Sequence, residues 1–257
     1  MNIYQHFRPE EREYIDQVLN WKDYVETQYT PKLTDFLDPR EQHILKILIG
    51  EHGQVNYKLF GGSPDVERKR ALIFPDYLTA TEEEFQISLF EIHYPTKFVT
   101  IEHRQVLGTL MSLGLKRGKF GDILNKDDKC QFFAAKEISD YIKTNVETIG
   151  RAGVKLTETD IENAIRTNEL LVDSDLTVSS LRLDTVISGI YHVSRQKSQL
   201  LIQQGLVKVN WTLTENPSFE CDVGDMISVR GYGRAKILAI EGKTKKEKWR
   251  INVGKQK

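Results

Sequence analysis

The sequence predicts an α+β protein made of three small domains. Three observations carry that expectation. Residues 83–157 run strand–helix–strand–strand–helix–strand, residues 182–210 read as two short helices and a strand, and residues 1–80 place two amphipathic helices before a pair of strands. With 257 residues, the chain has ample length for buried cores.

In the first block, residues 1–80, Tyr14, Ile15, Val18, Leu19, Trp21 and Val25 recur at helical spacing after Phe7-Arg8-Pro9-Glu10. Asp38-Pro39 signals a second helix through Ile44, Leu45, Leu48 and Ile49, stopped by Gly50 or Gly53. Residues 54–60 and 70–74 are strand candidates around Gly61-Gly62-Ser63-Pro64, and Pro75 breaks the pattern. The block reads as a small α+β domain.

In the second block, residues 85–94 alternate as a strand before Pro95. Residues 105–115 are helical, with Val106, Leu107, Leu110 and Leu113 apolar. Residues 123–124 and 131–134 are short strands about a turn at 125–129, Ile138, Ile142 and Val146 mark a second helix, and 149–156 close as a strand. This βαββαβ order is that of ferredoxin-like and RNA-recognition-motif (RRM-like) folds. The aromatic signature of a true RNA recognition motif is absent, so the fold expectation does not carry RNA binding with it. Residues 158–180 read as a connector: Thr159-Asp160 opens a short helical piece and 169–172 form a strand.

The third block, residues 181–257, opens on Arg182-Leu183-Asp184. Ser194 is placed to cap a second helix, where its oxygen accepts a first-turn N–H that has no other partner. Leu201 and Ile202 give that helix an apolar edge, while Arg195, Gln199 and Gln203 recur at spacings of four. Gly205 sits where a left-handed residue ends a helix before the strand at 207–210. A helix start carrying Ser194, Arg195 and Lys197 offers N–H groups, a positive dipole end and two cations to a phosphate. Arg182, Arg195, Lys197 and Lys208 are therefore the candidate phosphate contacts. Ser194, Gln199, Gln204 and Asn210 are candidate neutral partners for phosphate, 2′-OH or base edges. Asp184 is expected to cap or pair locally, because a carboxylate would repel the ligand.

These residues resemble the S-four RNA-binding domain (alpha-L fold). The pattern R-L-D, then S-R…L-I-x-x-G-x-V-x-V-N, then G-D-x-I-x-V is matched in order over about fifty residues. Trp211 departs from it where glycine is usual, and Leu200 and Gln203 stand where basic residues are common.

Charge is divided unevenly. The whole chain carries −1, but residues 182–257 hold 14 Lys+Arg against 7 Asp+Glu, a balance of +7, and residues 1–181 hold 22 against 30, a balance of −8. That asymmetry fits one end meeting a polyanion. Lys116, Arg117 and Lys119, beside Gly118 and Gly121, form a second basic loop, and two readings stay open for it: a further RNA contact, or a solvated turn. The Gly-Lys-Ser/Thr ending of a P-loop is missing there. Arg68, Lys69 and Arg70 beside the Gly-Gly turn read as charged hairpin flanks.

Catalytic sets are not evident. His6, His43, His52, His93, His103 and His192 lack metal-ligand spacing, Cys130 and Cys221 lack a C-x-x-C partner, and no G-x-S-x-G elbow occurs. No metal or cofactor is expected. No apolar run approaches the roughly 18 residues of a membrane helix, and the N-terminus is unlike a signal peptide. The expected protein is a soluble, cytoplasmic monomer without membrane insertion.

The three-block layout is also similar to the YlmH-type proteins of Gram-positive bacteria. The carriers are Phe60-Gly61-Gly62 with Glu67-Arg68-Lys69-Arg70, the run from Gly108 to Gly121-Asp122-Ile123, and the third block. That resemblance implies a non-enzymatic protein whose partners are RNA (ribosomal RNA and tRNA) and the large ribosomal subunit. It further implies work in ribosome-associated quality control of obstructed peptidyl-tRNA complexes, with a link to cell division. Two alternatives remain. One is an RNA-modifying enzyme, although the R-L-D of pseudouridine synthases lacks its preceding glycine here and no Gly-rich methyltransferase cofactor turn is found. The other is a protein-interaction adaptor for division.

Overall fold

The computed structural model describes residues 3–7, 9–50, 53–166 and 171–256, in two compact units divided between Thr167 and Asn168. His52, Glu169 and Leu170 lie outside the described residues.

In the first unit, α1 (Arg12–Gln28) turns Ile15, Val18 and Val25 inward. Strand β1 (Lys32–Leu37) follows, then α2 (Pro39–Ile49). Asp38 accepts bonds from the Arg40 and Glu41 N–H groups, Glu41 answers on the Asp38 N–H, and Pro39 occupies the first helical position. Gly50 ends the helix at φ 78°. Strands β2 (Val55–Phe60) and β3 (Lys69–Pro75) complete an antiparallel sheet of order β1-β3-β2. The helices and the two expected strands are present, and β1 is an addition. Ala71 and Ile73 of β3 share a core with α1 and α2, whereas Leu72 and Phe74, on the opposite pleat, join a second core.

That second core belongs mainly to the middle segment. Its elements are β4 (Ile87–His93), α3 (His103–Ser112), β5 (Phe120–Lys126), β6 (Lys129–Ala135) and α4 (Ser139–Asn145). A minimal hairpin of β7 (Thr148–Ile149) and β8 (Ala152–Gly153) precedes β9 (Lys155–Thr159). The expected closing strand at 149–156 is thus two pieces, because Gly150 at φ 61° turns the chain and only β9 joins the main sheet. That sheet is wholly antiparallel with order β5-β6-β4-β9. In this order each strand of the hairpin-linked middle pair lies as the split βαβ plan requires.

Helix α4 covers the pleat bearing Ser88 and Phe90: Ser139 Oγ donates to Ser88 Oγ at 2.9 Å, and Lys143 lies 5.8 Å from the Phe90 ring. Phe133 points to the other pleat, where the N-terminal sheet closes on it. A Cβ on Gly62 would stand 2.3 Å from the Phe133 ring, and one on Gly121 would stand 2.9 Å from the Phe36 ring. Glycine is required at both positions by close approach.

In the second unit, β10 (Leu171–Val178) precedes α5 (Leu183–Tyr191) and α6 (Arg195–Gln203). Then come β11 (Val207–Val209), β12 (Thr212–Leu213), β13 (Met226–Val229), β14 (Gly233–Lys243) and β15 (Trp249–Gln256). The six-stranded sheet has order β10-β15-β14-β13-β11-β12. Residues 171–178, expected in a connector, pair with β15 along their full length and belong to this sheet. The expected helical piece after Asp160 is one 3₁₀ turn, Ile161–Asn163. Val186, Ile187 and Ile190 of α5, and Leu201 and Ile202 of α6, bury against Val207, Val209, Ile227, Val229, Ala235 and Ile237.

Candidate RNA interface

The helix pair is organised around one carboxylate. Asp184, in the first turn of α5, is fully buried. Its Oδ2 accepts from Arg195 Nε at 2.9 Å and Gln199 Nε2 at 2.8 Å, and its Oδ1 accepts from Arg182 Nε at 3.3 Å and Thr185 Oγ1 at 3.1 Å. The two arginines nevertheless keep 39% and 53% of their side-chain surface exposed. Burial alone would raise the Asp184 pKa, but the bonds from Gln199, Arg182, Arg195 and Thr185 prevail and hold it down to about 2. An acid ionised at neutral pH thus fans two guanidinium groups and an amide into one surface patch. The fork geometry of such groups suits phosphate oxygens.

Local structure fixes this patch. Loop carbonyls of Phe219 and Pro217 accept the N–H groups of Leu183 (2.8 Å) and Asp184 (3.2 Å), anchoring the start of α5. His192 at φ 54° turns the chain, and Ser194 accepts the Lys197 N–H at 3.1 Å to cap α6.

Of the eight residues expected to touch RNA, the structure brings Arg182, Arg195 and Gln199 together, with Ser194 beside them at the start of α6. Lys197 is exposed in the same turn, but two residues from Arg195 it projects from another side of the helix. Gln204 is exposed at the far end of α6. Lys208 does not join them. Val207 and Val209 face the helices, so alternation sends Lys208 to the opposite face of the sheet. Asn210 is committed internally: Nδ2 donates to Asp225 Oδ1 at 2.7 Å and Oδ1 accepts the Met226 N–H at 3.0 Å. Arg230 and Arg234, which sequence reading passed over, line a groove with Lys208, and Lys236, also passed over, stands opposite Met226 in the same sheet. The alternation Arg234-Ala235-Lys236-Ile237, with Ala235 and Ile237 buried, was the available signal.

The loop of Lys116, Arg117 and Lys119 is a brace and not an open basic surface. Lys119 Nζ donates to Asp35 Oδ1 at 2.6 Å and Glu137 Oε1 at 2.9 Å, joining β1 to the segment entering α4. Arg117 Nη1 bonds the Phe120 carbonyl at 2.6 Å; burial, with repulsion from Arg68, lowers its pKa to about 10. Lys116 alone of the three is exposed. Arg70, expected as a hairpin flank, is buried and donates to the Thr34 and Gln86 carbonyls, both at 2.8 Å. A cleft of about 920 Å³ in the first unit is lined by Glu82, Glu83, Glu158, Asp160 and Glu162 against Lys136 and Arg166, a net negative charge that opposes RNA.

Among the described residues no three His, Cys, Asp or Glu side chains converge as metal ligands would, and no helix is long and apolar enough to cross a membrane. Cys130 and Cys221 are free and buried, and burial raises both thiols to about 12.

Known protein families match the chain in the order of these elements. Residues 10–78 match the model "YlmH, N-terminal", 80–163 the model "Putative RNA-binding domain in YlmH", and 181–227 the S4 domain. Over 259 aligned residues, covering 100% of this chain and 99% of the relative, it is 47% identical to "Ribosome-associated protein quality control protein P2" of Bacillus subtilis (strain 168). The chain belongs to the YlmH family. Among solved structures, "Cell division protein ylmH from Streptococcus pneumoniae" is similar at a TM-score of 0.55 with 35% identity, covering 64% of this chain and 100% of that one. In this YlmH-family chain the S4 match ends inside β13, while the sheet continues through β14 and β15 and back to β10.

Proposed function

We propose that this protein is a non-catalytic RNA-binding factor of ribosome-associated quality control. In this reading it holds ribosomal RNA and tRNA on the large ribosomal subunit when peptidyl-tRNA is obstructed. The observation that carries the reading is the Asp184-centred patch, in which Arg182, Arg195 and Gln199 converge at a capped helix start. The name of the 47% identical relative supports the quality-control setting, and that setting implies a cytoplasmic place of work. The name of the structural neighbour supports a link to division.

Occupancy, not turnover, is the mode the geometry favours. A pseudouridine synthase uses an accessible aspartate as its nucleophile, whereas Asp184, the aspartate of the R-L-D motif here, is sealed beneath its two arginines. Binding of an Arg182→Ala/Arg195→Ala variant to structured ribosomal RNA tests the interface. Loss of two phosphate contacts should weaken binding and make log affinity fall less steeply with log salt. Unchanged affinity and slope in a folded variant would refute it. Mass mapping of ribosomal RNA and tRNA incubated with the protein, with and without S-adenosylmethionine, should find no new modification.

A further inference from the structure

The outer face of the C-terminal sheet carries a second cationic surface, turned away from the helix pair. Cross-strand register places Lys208 opposite Ser228, and Ser228 opposite Arg234, in one row across β11, β13 and β14. Arg230 follows β13 directly. Together with Met226 and Trp211 these residues line a groove of about 400 Å³, within the roughly 300–1,000 Å³ of small-ligand sites, and among the described residues no carboxylate lines it.

Trp211 is the unusual member. Asn210 and Trp211 form the two-residue turn between β11 and β12, at φ 50° and φ 64°. Such turns favour Asn-Gly, and a bulky residue in the second position is strained. Trp211 is partly buried, yet it is not among the side chains packed on the module's core. The turn is also held rigid, because Asn210 is bonded to Asp225 and to the Met226 N–H. A strained, partly buried aromatic on a fixed backbone, lining a groove with three cations, has the composition of a base-stacking platform.

We propose that this groove takes an unpaired RNA nucleotide, its base stacked on Trp211 and its flanking phosphates on Lys208, Arg230 and Arg234. A base inside a duplex has both ring faces stacked on its neighbours, so the ligand is single-stranded. The site rests on the RNA-binding reading of the protein but is distinct from the helix-pair patch.

The test is titration of the full chain with a short oligouridylate, read by tryptophan fluorescence. The parent should quench as the base stacks. Trp211→Gly should bind at least about fivefold more weakly and lose that quenching. It should melt no lower than the parent, because glycine suits the positive φ. Arg230→Ala/Arg234→Ala should weaken binding and make the salt dependence shallower. Arg182→Ala/Arg195→Ala, which tests the helix-pair patch, should still show the parent's full quenching at saturating oligouridylate, because that signal comes from Trp211. Failure of the patch and failure of the groove are therefore separable. The proposal is overturned if the parent shows no quenching at saturation, if Trp211→Gly quenches as the parent does or the Arg230/Arg234 variant binds as tightly as the parent, or if the Arg182/Arg195 variant loses the quenching at saturation.

Discussion

Asp184 shows how a residue that would repel RNA can prepare its binding. It contacts no solvent, yet sets the directions of Arg182, Arg195 and Gln199. Asp184→Asn keeps the shape and removes the charge. It should cost about 1–3 kcal/mol of stability in urea unfolding, since bonds to a charged acceptor are lost, and it should weaken binding to structured RNA by disordering both arginines. The pH dependence has a definite sign. The folded pKa, about 2, lies below the ordinary 3.8, so the stabilisation is fully present above about pH 4 and lost as pH falls toward 2. Urea midpoints across that window should fall more steeply for the parent than for Asp184→Asn, and equal slopes would show that Asp184 contributes no such linkage. Sequence reading expected Asp184 to cap or pair locally and Arg182, Arg195 and Gln199 to face RNA, but alternation alone could not tell inward from outward for their neighbours. The same limit sent Lys208 to the wrong face and left Asn210 as a candidate RNA partner, although both ends of its amide are bonded within the protein.

At the scale of elements, legibility followed chemistry that is local in the chain. Asp38, Pro39 and Gly50 announce α2, and Ser194 announces α6, because caps act within one turn. Strand β1 escaped notice because a bulge between Leu33 and Phe36 breaks its alternation of period two. Strand β10 was taken for a connector because its partner, β15, is distant in sequence. That pairing makes a prediction. A fragment of residues 171–257 should fold, whereas residues 181–257 should be less stable and prone to associate, having lost buried Val178 and exposed the edge of β15. Melting and sedimentation of the two fragments decide this, and equal behaviour would show that β10 is dispensable. The Lys119 brace gives a contrasting expectation: Lys119→Ala should lower the melting temperature of the first unit while leaving RNA affinity unchanged. A weaker affinity at unchanged stability would restore that loop as an RNA contact.

For the whole molecule, positive charge belongs to the second unit and negative charge to the first. The salt dependence of RNA binding should therefore be the same for the full chain as for residues 171–257; a markedly steeper slope for the full chain would reveal phosphate contacts in the first unit. Within that unit, the sheet pleat that an RNA recognition motif leaves open is covered, since Phe133 meets Gly62 and Phe36 meets Gly121. Two sequence families, 10–78 and 80–163, thus share one interior, with Phe36, Leu72 and Phe74 from the first set among Phe85, Leu89 and Phe133 from the second. The consequence is calorimetric. Neither segment can be removed without exposing the aromatic surface of the other, so both should melt in a single heat-absorption peak. Gly62→Ala, placing a methyl into the Phe133 ring at φ 97°, should move that peak as a whole to lower temperature without dividing it.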